Sequence, residues 1–346
     1  MITILILYTE LMPYNIIVIK ELVKKGCCVH VVLQDTNKKT PYLPPLLEGV
    51  TYYKRSTFEN PDHLFRLVKS LNPDLVWTAG WIDPLYNEVA GMVRGKLHLP
   101  VVAGSDTQWR GGKQWLNVIT ARFRQRQWFS HLFVAGEWQV KYARKLGFRP
   151  DQILMHNLSA DVELFSRIDL NSREADYPKR LLYIGRFAPE KGLTYLLKAW
   201  QSILDRKGWQ LILVGNGSEK EKLTGYPDVE ILDFMDQQDL LKVMECSGAF
   251  ILPSVFEPWA LVLHEAACAG LPLLASKCCG AVASFVREGE NGYLFIPGNI
   301  RSIRCSVEKL LMQPEAGLLQ MGRISRKLGM KITPERVADT LLTVLK

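Results

Sequence analysis

The chain alternates short apolar runs with longer amphipathic runs, and this alternation constrains its fold more than any other feature. In the first half, apolar residues 2–8, 28–33 and 75–78 are separated by amphipathic stretches such as 16–25. Short apolar runs between amphipathic segments indicate parallel strands joined by helices. The sequence therefore predicts an α/β fold whose ligands bind beyond the carboxyl ends of the strands.

The length of the chain predicts two domains. At 346 residues it exceeds the usual size of one domain, and two domains of ordinary size can each bury a core. We predict a first domain over residues 1–170, a polar linker over 171–179 and a second domain over 180–332. No apolar run reaches the length of a membrane span.

Cysteine usage and charge indicate a cytoplasmic protein with a basic first half. Seven cysteines are an odd number, and the adjacent pairs at 27–28 and 278–279 lack Cys-x-x-Cys spacing, so we expect neither a disulfide framework nor a zinc site. The net charge is +8, and residues 1–170 hold 21 Lys and Arg against 15 Asp and Glu. A basic face of this kind can meet nucleic acid, anionic lipid or a phosphorylated substrate.

One segment of the first half is both basic and aromatic. Residues 107–136 contain no acidic side chain, and cations alternate there with Trp and Phe. Cations with Trp suit a membrane surface of anionic headgroups, whereas a core helix with a solvated basic face has the same composition. The candidate acceptor or membrane surface consists of Trp109, Arg110, Lys113, Arg122, Arg124 and Arg126.

Two cations stand in a loop between a predicted strand and a predicted helix in the second half. Gly185 allows the backbone to turn after the strand, and Arg186 and Lys191 follow. Fixed cations at such a loop can stabilise a phosphate. The alternative is a surface arginine and an ion-pair partner for Glu190.

The stretch over residues 249–269 reads as a strand, a tight turn and a helix. Pro258 fits the first helical position, which makes Glu257 the predicted N-cap. A helix start of this kind attracts anions. Glu265 lies about two helical turns further on. By spacing alone, the alternative interpretation is that Glu257 is only a helix cap and Glu265 only a solvated helix carboxylate.

Several motifs occur together in the order found in one enzyme family. The chain resembles the retaining GT-B glycosyltransferases of family 4 in Phe256-Glu257-Pro258 followed by Glu265, in residues 185–192, 214–217, 252–254 and 288–295. This resemblance implies the GT-B architecture of two Rossmann-like parallel-sheet domains facing a central cleft. It also implies that the first domain binds the acceptor, that the second binds a nucleotide-sugar, and that the C-terminal helix over 333–346 packs on the first domain.

The resemblance implies a role for each site residue. Arg186 and Lys191 hold the donor diphosphate, Glu257 faces the reacting sugar, and Glu265 binds the ribose hydroxyls. Asp106 stands where family members place an acceptor residue, although an Asp there could equally cap the next helix. The implied donor-binding residues are Glu265, Gly185, Gly215, Asn216, Gly217, Phe234, Met235, Pro258, Trp259, Ala260 and Leu261.

Two of these donor residues have an alternative role, and a third departs from the family pattern. Phe234 and Met235 are implied to wall the nucleotide base, and ordinary core packing is the alternative. Ala260 replaces a glycine that the family usually has beside the donor sugar and phosphate.

The predicted function is retaining transfer of a sugar from a UDP- or GDP-linked donor to a glycan or lipid-linked acceptor. No metal ion is expected, because the cations supply positive charge and no Asp-x-Asp or His cluster is present. Neither a resident cofactor nor a nucleic-acid partner is expected. The predicted location is cytoplasmic, with peripheral contact at the inner face of the membrane left open. The alternatives are another GT-B enzyme, such as a sugar epimerase or a phosphorylase, and a non-catalytic basic surface-binding protein.

Overall fold

The computed structural model describes residues 1–34 and 45–345. The chain divides into two compact units. The first consists of Met1–Ser159 and Thr333–Lys346, and the second of Ala160–Ile332.

The first unit is built on a parallel sheet of seven strands. Its order is β3-β2-β1-β4-β5-β6-β7, with β1 (Thr3–Leu7), β2 (Cys28–Leu33), β3 (Val50–Lys54), β4 (Leu75–Thr78), β5 (Val101–Ser105), β6 (His131–Val134) and β7 (Ile153–Met155). Its helices include α1 (Pro13–Lys24), α2 (Pro61–Leu71), α3 (Pro84–Met92), α4 (Gln114–Thr120), α5 (Gln125–Trp128) and α6 (Glu137–Lys145). Because side chains alternate along a strand, Leu5 and Leu7 enter the core on one face of the sheet and Ile4 and Ile6 enter the core on the other. Both faces are therefore covered, as a parallel sheet requires.

The second unit is built on a parallel sheet of six strands. Its order is β10-β9-β8-β11-β12-β13, with β8 (Arg180–Ile184), β9 (Gln210–Val214), β10 (Val229–Leu232), β11 (Ala249–Leu252), β12 (Leu273–Ser276) and β13 (Gly292–Phe295). Its helices are α7 (Val162–Phe165), α8 (Leu193–Gln201), α9 (Gln237–Glu245), α10 (Leu261–Cys268), α11 (Val282–Phe285), α12 (Ile300–Leu311) and α13 (Glu315–Gly329). The apolar runs of the sequence are thus parallel strands, and the predicted α/β class is confirmed.

The last helix, α14 (Pro334–Leu342), packs in the first unit. Val337 and Leu341 enter the same core cluster as Ile16 and Ile19 of α1. Lys25, the C-cap of α1, and Asp339 of α14 add an ion pair of 2.7 Å between the two helices. Burial of one apolar face therefore fixes this helix.

The predicted linker over residues 171–179 is part of the second unit instead. Arg173 is buried and donates hydrogen bonds to the carbonyl oxygens of Gly270 and Met244 at 2.9 and 3.0 Å. The hydroxyl of Tyr177 donates to the carbonyl oxygen of Gly248 at 2.7 Å. These polar side chains bind backbone groups of the second unit, and composition alone does not reveal such contacts.

No helix in the described part of the chain is long and apolar enough to cross a membrane.

Candidate functional site

The second sheet has a topological switch point between β8 and β11. From β8 the chain adds β9 and β10 on one side, and it then returns to add β11, β12 and β13 on the other. Connections leave a parallel sheet in opposite directions at such a point, and a crevice forms beyond the carboxyl ends of the two strands. The loops over residues 185–192 and 253–260 flank this point.

These two loops are joined through their backbones. The carbonyl oxygen of Glu190 accepts hydrogen bonds from the amides of Val255 and Phe256 at 2.9 and 3.3 Å. Gly192 has φ +70°, and a Cβ at this position would collide with the carbonyl oxygen of Pro253. Only glycine combines this φ with so close an approach. The loop that carries the cations therefore has a fixed position against the loop that carries Glu257.

Lys191 and Glu257 form an ion pair at the switch point. Lys191 Nζ donates to Glu257 Oε2, and the hydroxyl of Ser254 lies 3.3 Å from the same oxygen. The side chains of Lys191 and Glu257 are only 16% and 10% exposed. The structure thus joins two predicted site residues that lie 66 positions apart in the sequence. Charges held this far from solvent interact more strongly than surface charges do.

Arg186 occupies a different environment. Its side chain is exposed and pairs with Glu190 at 3.0 Å. An exposed pair of this kind contributes little to stability. The guanidinium therefore remains available for a ligand that enters from solvent.

The start of α10 differs from the sequence prediction. The helix begins at Leu261 with Ala260 as its N-cap, so Glu257 is not the N-cap and Pro258 is not at the first helical position. The backbone of Glu257 instead forms a bridge to Cys279. Trp259 is buried, with its ring against Phe285, so its side chain is not exposed to a donor.

Ala260 adopts a left-handed backbone conformation with φ +82°. This conformation costs a residue with a Cβ about 1–2 kcal/mol. Glycine avoids that cost, which explains physically why the resembled family favours glycine here. Leu261 follows it and is half-buried at the start of the helix.

Glu265 is buried in the second turn of α10. Burial raises the pKa of this carboxyl group to about 7; the hydrogen bond with Gln237 opposes the rise, and the charge of Asp161 adds to it. Gln237 and Asp161 were not identified from the sequence. Gln237 is the first residue of α9, directly after the loop of residues 233–236.

That loop carries the two predicted base-wall residues. Phe234 is exposed and Met235 is half-buried. The core-packing alternative is therefore wrong for Phe234. Because Gln237 contacts Glu265, the loop lies beside the predicted ribose-binding carboxylate.

The glycine-rich turn after β9 contacts the cation loop. The amide of Phe187 donates to the carbonyl oxygen of Asn216 at 2.8 Å, and the amide of Gly185 donates to Val214 at 3.0 Å. The Asn216 side chain accepts from the amide of Gly217 at 2.7 Å. Gly215 is buried, whereas Asn216 and Gly217 are exposed. The turn thus brings exposed backbone to the same edge of the sheet.

Cys278 is a further titratable group near Glu257. Its Sγ lies 3.0 Å from the carbonyl oxygen of Ser254 and 3.3 Å from the hydroxyl of Ser276. Hydrogen bonding, first from Cys279 and also from Ser276, lowers the pKa of the Cys278 thiol to about 7 despite its burial. The adjacent cysteines in the sequence gave no indication of this environment.

Asp106 lies at the carboxyl end of β5 in the first unit. The next helix begins at Gln114 with Lys113 as its N-cap, so the capping alternative is wrong. The backbone oxygen of Asp106 accepts from Gln139 Nε2 at 3.1 Å. Burial, and then the charge of Asp106, raises the pKa of Tyr14 to about 12. The carboxylate therefore lies near a phenol that stays protonated.

The basic aromatic segment is not one helix. It consists of α4, a 3-10 turn over Ala121–Phe123, and α5. Arg126 donates to Gln152 Oε1 at 2.7 Å and lies over the ring of Phe148. It therefore contacts other residues of the first unit and is not part of an exposed basic surface. Trp109 is half-buried and packs at 5.8 Å from Tyr142.

The other four cations of the candidate surface are exposed. They are Arg110, Lys113, Arg122 and Arg124.

Within residues 1–34 and 45–345, no three His, Cys, Asp or Glu side chains cluster as ligands of an ion.

Solved structures with the same arrangement define the fold class. Anabaena HepE in complex with UDP aligns with a TM-score of 0.78 and 18% identity, covering 99% of each chain. Sucrose-phosphate synthase from Thermosynechococcus elongatus aligns with a TM-score of 0.75 and 18% identity, covering 99% of this chain and 98% of that one. The protein has the GT-B fold, with two Rossmann-like parallel-sheet units, and the fold class implied by the resemblance is confirmed.

Part of the chain matches a known enzyme family in sequence. Residues 166–327 match the model of the family described as glycosyl transferases group 1. An uncharacterized glycosyltransferase of Haemophilus influenzae is 34% identical over 170 residues, which are 46% of this chain and 47% of that protein. The chain thus spans about half the length of the curated relatives it matches. Residues 166–327 are therefore similar to a group 1 glycosyltransferase domain, in line with the resemblance of the motifs.

Proposed function

We propose that the protein is a retaining glycosyltransferase that transfers a sugar from a nucleotide-diphospho-sugar to a glycan or lipid-linked acceptor without a metal ion. The observation that carries this proposal is the Lys191–Glu257 ion pair beyond the ends of β8 and β11. The complex of HepE with UDP supports a nucleotide donor, because that protein shares the fold over nearly the whole chain.

Lys191 and Arg186 are proposed to bind the diphosphate. As the bond between the sugar and the diphosphate breaks, negative charge develops on the leaving phosphate oxygens. Fixed cations stabilise that charge without reorganising during the reaction. Lys191 is held in place by Glu257, and Arg186 can leave its exposed partner Glu190 for the phosphate.

Glu257 is proposed to orient the sugar. Its second carboxylate oxygen can accept a hydroxyl hydrogen bond while Oε2 keeps Lys191 and Ser254. Holding the sugar in a reactive orientation lowers the entropic part of the barrier.

Glu265 and the loop over residues 233–236 are proposed to bind the nucleoside. A carboxylate can accept hydrogen bonds from both ribose hydroxyls. The exposed ring of Phe234 offers a stacking surface for a base. UDP and GDP are both proposed as donor nucleotides.

The acceptor is proposed to bind the first unit near Asp106 and Tyr14, at the carboxyl end of its sheet. Asp106 can accept a hydrogen bond from an acceptor hydroxyl, and the neutral phenol of Tyr14 can donate one. The proposed location is cytoplasmic, with peripheral contact with a membrane.

UDP or GDP is expected to raise the melting temperature, because a ligand that binds only the folded state stabilises it by mass action. A concentration of about 100 Kd adds roughly 2.7 kcal/mol, or about 5–10 °C. Differential scanning fluorimetry with UDP, GDP and ADP measures this. If no nucleotide shifts the transition, the donor assignment is wrong. Mass spectrometry of products then separates transfer to an acceptor from epimerisation of the sugar.

Activity is expected to be independent of divalent metal, since Lys191 and Arg186 already provide positive charge at the proposed phosphate site. Initial rates of sugar transfer measured with EDTA, and after addition of magnesium or manganese, should agree within twofold. Loss of activity with EDTA and its recovery with either ion would contradict this proposal.

A further inference from the structure

Four large apolar side chains are exposed on α4 and the 3-10 turn that follows. Trp115, Leu116, Ile119 and Phe123 are 51%, 66%, 67% and 60% exposed. Their spacing of three and four residues places them on one side of the helical segment. We call these four residues the α4 surface. Exposed apolar side chains in a contiguous group mark an interaction site.

The α4 surface is held in an outward orientation. Val118 packs against the core of the first unit, and Asn117 Nδ2 donates to the hydroxyl of Tyr142 at 3.2 Å. The ring of Trp115 packs edge-on against Trp109 at 5.1 Å. The opposite side of α4 is therefore attached to the fold, and the apolar side faces solvent.

Cations surround the α4 surface without acidic partners. Lys113, Arg122 and Arg124 are exposed, and none of them forms an ion pair within residues 1–34 and 45–345. The guanidinium of Arg122 lies 4.4 Å from the ring centre of Phe123. Charged and apolar groups are thus presented side by side.

We propose that the α4 surface docks onto an anionic lipid membrane. The apolar side chains would enter the boundary between headgroups and acyl chains, and the cations would contact headgroup phosphates. Arginine and lysine can keep their charge at the headgroups while their stems lie along apolar surface. The absence of acidic residues from 107–136 gives this surface the charge complementarity that an anionic bilayer needs.

This inference deepens the acceptor part of the proposed function and rests on it. A membrane-docked first unit would meet an acceptor whose lipid part stays in the bilayer. The donor chemistry belongs to the second unit and is measured separately.

Sedimentation with vesicles tests the proposal. The wild type is expected to bind vesicles of phosphatidylcholine with phosphatidylglycerol much more tightly than vesicles of phosphatidylcholine alone. Replacing Lys113, Arg122 and Arg124 with Gln should weaken binding on the order of 100-fold, because each cation contributes about fivefold. Added salt should weaken binding of the wild type, since exposed charges are screened.

A second variant tests the apolar part, and a third is the matched control. Leu116, Ile119 and Phe123 changed to Gln should weaken binding at least tenfold at unchanged net charge. The control changes Lys198, Arg301 and Lys327, three exposed cations of the second unit, to Gln. It should bind like the wild type. If the apolar triple variant does not fold, the single change Ile119→Gln takes its place.

Two outcomes of the vesicle experiment would overturn the proposal. One is that the wild type fails to bind anionic vesicles, and the other is that the basic and apolar variants bind them as tightly as the wild type. Dimers in sedimentation velocity that the apolar variant lacks, without vesicle binding, would identify the surface as an interface between copies. Thermal stabilisation by UDP is measured on every variant, so loss of membrane binding with retained nucleotide binding separates this proposal from the donor assignment.

Discussion

Replacing Lys191 with alanine is expected to lower kcat/KM for sugar transfer at least tenfold, which is about 1.4 kcal/mol of transition-state stabilisation. The change removes a cation proposed to contact the leaving diphosphate. It also leaves Glu257 without its ion-pair partner at a site where both side chains are mostly buried. Removing one partner of a buried pair costs about 3 kcal/mol of folding stability. Steady-state kinetics and thermal unfolding measure the two effects.

A double variant that combines Lys191→Ala with Glu257→Gln separates these two effects. It contains no unpaired carboxylate, so part of the stability lost in Lys191→Ala should return while activity stays low. The control Lys198→Ala removes a charge of the same sign from an exposed position of α8 and should change stability by less than about 0.5 kcal/mol. Unchanged kinetics in a folded Lys191→Ala protein would refute the assignment.

Replacing Glu265 with glutamine is expected to remove a pH dependence of stability. The pKa of Glu265 is about 7 in the folded protein, against 4.5 for an ordinary glutamate, chiefly because burial disfavours the charged carboxylate. Between these values the folded state keeps a proton that the unfolded state releases, so wild-type stability falls as pH rises from about 4.5 to about 7. The loss is on the order of 3 kcal/mol. Urea unfolding of both proteins at about pH 5 and about pH 8 measures it.

The expected result is a gain in stability of Glu265→Gln relative to the wild type at about pH 8 that is absent at about pH 5. A difference that does not depend on pH would contradict the titration of Glu265. The matched control is Glu163→Gln, an exposed carboxylate of α7, which should behave like the wild type at both values.

Nucleotide binding should show the opposite pH dependence. Ribose hydroxyls donate hydrogen bonds to the ionised carboxylate, so a bound nucleotide favours release of the Glu265 proton. Wild-type affinity for UDP should therefore rise between about pH 6 and about pH 8, and Glu265→Gln should bind at least tenfold more weakly. Titration calorimetry in buffers of different ionisation enthalpy detects the released proton. Equal affinity of the two proteins would exclude the ribose role.

The sequence was sufficient to predict strand and helix bounds where these depend on nearby residues. The runs that became β2, β4, β6, β9 and β11 have the bounds that their apolar residues indicate. The start of α14 follows from local signals in the same way, because Pro334 occupies the first turn and Thr333 caps it. Periodicity and capping depend on neighbours within a few residues, so both can be read along the chain.

The start of α10 shows where local reasoning fails. Pro258 favours a helix start at that residue, but Trp259 is buried against Phe285 and Ala260 takes a left-handed conformation, so the helix begins three residues later. Tertiary packing overrides the local preference here.

The sequence by itself determined the class of fold, the cations of the loop after β8 and the two carboxylates of the central stretch. Only the tertiary structure decided that Lys191 pairs with Glu257 while Arg186 faces solvent, that Glu265 is buried beside Gln237, and that α4 turns Leu116 and Ile119 outward. Whether a segment forms a strand or a helix follows from residues close in sequence. Which side chains form ion pairs and which are buried depends on the strands and helices that become neighbours. That neighbourhood sets both the charge of a carboxyl group and the face that a helix presents.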